Sequence, residues 1–86
     1  MPEISRFYGI VIRMYYDEHN PPHFHARYGN DEGVVQIDSV QMVEGFLPRR
    51  ALSLVLDWTE LYHAELMDNW DRMRNEQPHQ KIDPLK

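Results

Sequence analysis

Three of the chain's five histidines fall within seven positions, in His19-Asn-Pro-Pro-His-Phe-His25. Imidazoles so close together can hold a transition metal, handle protons and anions, or simply satisfy neighbouring carbonyls and carboxylates as structure. For metal binding, His23 and His25 stand two apart, so on a strand they project the same way with Cα atoms roughly 6.5–7 Å apart. That separation lets both imidazoles reach one zinc ion. His19 can swing in from the turn, and Asp38 or Asp17 can complete the shell. The chain has no Cys, so any bound metal (zinc, nickel, copper or iron) would take nitrogen and oxygen donors. The double proline stiffens the turn and lowers the entropy lost on closing such a site.

The acid–base reading uses the same residues differently. Arg13, Arg27 and Tyr15 share alternation with His23 and His25, so all five are candidate catalytic or phosphate-contacting groups. Imidazole can act as general acid or base while arginine stabilises developing charge, a combination suited to cleaving a phosphodiester. A second candidate lies where a helix is expected to begin. Arg49 and Arg50 there oppose the positive end of the helix dipole. Either they pair with Glu44 or an acid on the next turn, or they join the free amide N–H groups in an anion-binding site.

Positioning these groups requires strands first and a helix after. Phe7 to Tyr16 is rich in β-branched and aromatic residues and reads as one long strand. Asn20-Pro21-Pro22 ends it. His23 to Tyr28 reads as a second strand, Gly29 to Gly33 as a turn, and Val34 to Asp38 as a third strand. Val40 to Val43 is a candidate fourth. Alternation sends Ile10, Ile12, Met14, Phe24, Ala26, Tyr28, Val35 and Ile37 to one apolar face. The other face receives Arg13, Tyr15, His23, His25, Arg27, Gln36 and Asp38.

From Arg49 the period changes to 3.6. Ala51, Leu52, Val55, Trp58, Tyr62, Leu66, Trp70 and Met73 align on one side, which predicts one long amphipathic helix with Trp58 and Trp70 as core anchors. Leu54 and Leu61, seven apart, project beside that stripe and are a candidate homodimer seam. The expected fold is therefore α+β: a small antiparallel sheet of three or four strands, covered on one face by a long C-terminal helix. Residues 1–76 are expected as one domain and 77–86 as a flexible tail.

The net charge of −5 is unevenly spread. Through Gly29 three acids balance three arginines. The remaining eleven of fourteen acids and six of nine bases lie beyond it, which disfavours non-specific nucleic-acid binding by the back half. No apolar run approaches the roughly 18 residues of a membrane span. Met-Pro-Glu-Ile does not begin like a signal peptide. The expectation is a cytoplasmic protein without membrane contact.

ISRFYGIVIRMYY, then HNPPHFHARYG, then EGFLPRRALSLVLDW and a later NW, resemble the bacterial family catalogued as domain of unknown function 4160. The resemblance covers nearly the whole chain. It implies a small β-then-α domain, often encoded beside another small uncharacterised domain and sometimes labelled a toxin–antitoxin component. It carries no established catalytic residue. Two functional classes follow from the same face. One is a contact module for a small partner protein, nucleic acid or phosphate. The other is a small histidine-dependent hydrolase or nuclease, with or without a bound metal such as zinc. Beside both stands a purely structural histidine cluster.

Overall fold

The computed structural model describes residues 2–86. Its elements run β1 (Glu3–Phe7), β2 (Ile10–Arg13), β3 (His23–Tyr28), β4 (Asp31–Gln36), β5 (Gln41–Gly45), α1 (Arg49–Leu61) and α2 (His63–Arg74). The strands form one sheet in sequence order, with every neighbouring pair antiparallel. The class is α+β, with five strands instead of three or four.

The additional strand is β1, which shares only Phe7 with the segment from Phe7 to Tyr16 read as one strand; that segment holds the turn into β2. Phe7 pairs with Ile10, and Tyr8 and Gly9 between them both take positive φ, 50° and 78°. Two left-handed residues make the mirror-image turn whose twist suits a tight hairpin. Tyr8-Gly9 therefore closes β1 onto β2. The next hairpin is also tighter than expected: Tyr28 pairs with Asp31, so only Gly29 and Asn30 turn the chain and β4 begins at Asp31.

The apolar face is largely the expected one. Ile10, Ile12, Met14, Phe24, Ala26, Val35 and Ile37 are fully buried beneath Ala51, Val55, Trp58, Leu66, Trp70 and Met73. Tyr28 departs from it and remains 41% exposed, since it stands at the end of its hairpin beyond the helix cover. Trp58 is the centre of the core. Its ring lies 5.2 Å from Phe7 and 5.7 Å edge-on from Phe24, and its indole N–H donates to the Asp83 carbonyl at 2.8 Å.

The expected single helix divides at Tyr62, whose φ of −111° and ψ of 30° leave the helical range. One turn earlier, the buried Thr59 hydroxyl donates to the Val55 carbonyl at 2.7 Å, a competing bond of the kind that bends helices. The hydrophobic phase survives the break, which is why periodicity alone reads as one helix.

Residues 77–86 form neither helix nor strand, yet they pack on the core. Asn69, itself buried, donates to the Gln80 carbonyl and accepts from the Gln80 N–H. Ile82 is buried and its N–H bonds to the Ile4 carbonyl at 2.9 Å. A side-chain amide thus does for this segment what a neighbouring strand would do.

Close backbone approach is required at Gly45, where φ is 80° and an added Cβ would run into the Glu32 carbonyl and lie 3.0 Å from Gly33 Cα. The neighbouring Phe46 N–H bonds that same carbonyl, so the strand end cannot simply move away. Gly45→Ala is expected to destabilise the fold by about 2 kcal/mol or more. For a domain of this size that is a fall in Tm of roughly 8–16 °C, measurable by thermal circular dichroism.

Candidate metal centre on the open sheet face

β3 carries the site. Phe24 and Ala26 turn to the core, so His23 and His25 must point to the opposite face. Antiparallel pairing sets Arg13 beside His25, and Gln36 beside His23. The link between β2 and β3 then returns across this face and brings Glu18 to the histidines. Its carboxylate lies 2.8 Å from His25 Nε2 through one oxygen and 3.3 Å from His23 Nε2 through the other. One potential donor atom from each of the three residues lies within 4.8 Å of the others. The side chains are 15%, 20% and 27% exposed for His23, His25 and Glu18, accessible enough for a small ligand to enter.

The far nitrogen of each ring is also engaged. His23 Nδ1 is 2.8 Å from the Pro21 carbonyl, and His25 Nδ1 is 3.3 Å from a Glu32 carboxylate oxygen. A carbonyl only accepts, so His23 Nδ1 carries a proton. His25 instead stands between two carboxylates, Glu18 at 2.8 Å and Glu32 at 3.3 Å, and its neutral ring can donate to only one of them. Both Nε2 atoms face the Glu18 carboxylate, and in neutral His23 that nitrogen is a lone pair. A lone pair directed at an anion repels it. The arrangement is stable with a cation between them, either protons on Nε2 or a metal ion.

Aromatic contacts hold the rings in place. Tyr15 meets His25 edge-on at 4.8 Å, and the Trp70 ring lies 5.2 Å from His23. Trp70 is a core residue, as expected, and also a wall of the site. Arg74 stands 5.7 Å from the Trp70 ring and its guanidinium approaches the Glu18 carbonyl at 3.5 Å. The end of α2 thereby braces the loop that delivers Glu18.

The structure brings together only part of the residue set read from sequence. His23, His25, Arg13 and Tyr15 are neighbours. Arg27 lies on the same strand, but its Nε donates to the Gly29 carbonyl at 3.0 Å, which ties it to its own hairpin. His19 is exposed and outside the cluster. Asp38 lies 3.8 Å from His63 Nε2, a different neighbourhood. Arg49 and Arg50 begin α1 without an ion pair to Glu44 or to any acid among the described residues.

Glu18 and Glu32 were the hidden members. No spacing or periodicity marks Glu18, because its position depends on the loop path. Glu32 was concealed by reading Gly29 to Gly33 as a turn. With a two-residue turn it pairs with Arg27 and falls diagonal to His25 on the same face.

A family model described as a domain of unknown function, DUF4160, matches residues 9–71. The chain belongs to the DUF4160 family. Glu18, His23, His25, Glu32 and Trp70 all lie within the DUF4160 span, whereas β1 and residues 77–86 lie outside it. No curated protein and no solved structure matches the chain.

Burial alone would raise the Glu18 carboxyl, but the His25 hydrogen bond and the charges of His23 and His25 outweigh it. They hold the carboxyl below its ordinary value of 4.5. A depressed carboxyl contributes stability above its unfolded pKa and loses that contribution as pH falls through the folded value. The stability difference between wild type and Glu18→Gln, measured by urea unfolding without metal, is therefore expected to shrink as pH falls below about 5.

Proposed function

We propose that this DUF4160 protein is a divalent-metal-binding domain whose centre is Glu18, His23 and His25. The supporting observation is the convergence of both Nε2 atoms on one carboxylate while each Nδ1 faces an acceptor of its own. Metal-ligating histidines characteristically donate their other ring N–H to a carbonyl or carboxylate, which fixes the tautomer and raises ligand basicity. Here Pro21 and Glu32 fill those two roles.

Two imidazoles and one carboxylate form a donor set used for zinc in hydrolytic sites and for other first-row divalent ions. Three protein ligands leave at least one position for water or substrate. A metal there would supply a Lewis acid and a water acidic enough to act as nucleophile near neutral pH. Arg13, the register neighbour of His25, is placed to attract an anionic group, and Tyr15 offers a hydroxyl-bearing ring beside the same imidazole. The chemistry that fits best is metal-assisted hydrolysis of a phosphate ester, consistent with a small hydrolase or nuclease.

Untagged, chelator-treated protein titrated with Zn²⁺ and Co²⁺ in a calorimeter is expected to bind one equivalent. His23→Ala and His25→Ala should abolish saturable binding, whereas His19→Ala and Asp38→Ala should leave it unchanged. Glu32→Gln, which alters only the support of His25, should weaken affinity by about 10–100-fold. Absence of metal binding in a folded protein would overturn the proposal and leave the cluster held together by protons.

The hydrolytic step has its own check. Zinc-loaded protein should cleave bis(p-nitrophenyl) phosphate, and Arg13→Ala should reduce the rate while retaining metal stoichiometry. Metal binding without any cleavage would restrict the role to metal binding.

A further inference from the structure

The outer side of α1 carries charge in the orientation that an isolated helix disfavours. Arg49 and Arg50 stand at its positive end and Asp57 and Glu60 toward its negative end. The first turn holds no acid and the last turn no base. Each misplaced charge at an exposed helix end opposes the dipole. All four residues are exposed. None takes part in an ion pair among the described residues.

A stripe of residues links these charges. Arg50, Leu54, Asp57 and Leu61 recur at intervals of four, three and four, so they fall on one side of the helix. Leu54 is half-buried, while Leu61 is 64% exposed. Beside the N-terminal end of the stripe lies a depression of about 390 Å³ lined by Tyr8, Ile10, Tyr28, Pro48, Ala51 and Leu54, together with Arg50. Tyr8 is itself 59% exposed. The surface thus presents an apolar knob at one end and an apolar socket at the other.

The geometry points to a second copy of this chain as the occupant, bound through α1 in antiparallel orientation about a two-fold axis at Leu54. The charge pattern is self-complementary only in that arrangement. Leu54 is midway between the basic pair and the acidic pair, so a dyad there sets Arg49 and Arg50 of each copy opposite Asp57 and Glu60 of the other. The same axis treats the apolar features consistently. Leu61 lies about 10.5 Å along the helix from Leu54, at 1.5 Å per residue. The dyad carries it level with the start of the other α1, beside Pro48 and the socket. Antiparallel alignment also sets each helix's positive end beside the other's negative end, relieving the misplaced charges of both. An isologous contact of this kind closes on itself as a dimer.

This surface shares no residue with the Glu18, His23 and His25 cluster, so the inference stands independently of the metal centre. A charge-exchange experiment tests it. In sedimentation equilibrium at tens of micromolar and low salt, the wild type is expected at twice the mass of the chain. R49E/R50E and D57K/E60K are each expected to be monomeric, with at least a 100-fold loss of self-association. Both double variants place the favoured charge on the dipole, and circular dichroism verifies that they are folded. An equimolar mixture of the two should restore a species of dimer mass. Leu61→Asp should also be monomeric.

A monomeric wild type at several hundred micromolar overturns the proposal. So does a dimer that survives either charge reversal. Two folded monomeric variants that fail to associate when mixed overturn the antiparallel register.

Discussion

The edge-on contact between Phe24 and Trp58 determines which way the sheet faces. Phe24 lies between His23 and His25, so burying its ring against Trp58 obliges both imidazoles to the other side. A one-residue slip of β3 would put two imidazoles into an apolar core and a phenyl ring into water. The same indole reaches Phe7 on β1 and the Asp83 carbonyl. One side chain therefore connects the first strand, the central strand and the last residues of the chain. Core packing and site presentation are the same constraint viewed from two faces of β3.

Polar groups on that open face divide into those satisfied within their own hairpin and those that meet across elements. Arg27 belongs to the first kind through its bond to Gly29. The cluster belongs to the second. Its members come from the β2–β3 link, β3 and β4, with Trp70 of α2 against one ring. Four separate segments must be correctly placed before the Nε2 atoms converge on Glu18. Such convergence is costly unless something positive occupies it, since desolvating a carboxylate is unfavourable without compensation. The depressed Glu18 carboxyl expresses the same balance: the imidazoles outweigh the burial.

Much of this arrangement was legible from residues alone. Period-two alternation correctly sorted Ile10, Ile12, Phe24, Ala26, Val35 and Ile37 from His23 and His25, because burial of one face enforces it. The 3.6-residue period identified the helical core positions from Ala51 to Met73. Features set by single turns were harder to see. Tyr8 at positive φ is an uncommon choice for a hairpin turn, so the turn was read as strand and β1 before it was missed. The helix break has no proline or glycine to announce it. Glu18 lay outside any periodic element, and only the path of the chain after Met14 could bring it to His23. Asn69 reads as an ordinary polar helix residue until Gln80 arrives to bond it.

The bond from Ile82 to Ile4 also bears on the order in which the molecule assembles. Nearly the whole chain lies between those two residues, and closing so long a loop is entropically costly until other contacts have shortened it. The β1–β2, β3–β4 and β4–β5 hairpins close through brief turns, so they can form early from local contacts. The segment around Ile82 can dock only after β1 and the helices have built the surface that receives it. During synthesis, the surface at Ile4 and Asn69 must therefore wait for Gln80 and Ile82 to emerge. Protection of the Ile82 amide against hydrogen exchange would then report completion of the fold as a whole, unlike the amides within a single hairpin.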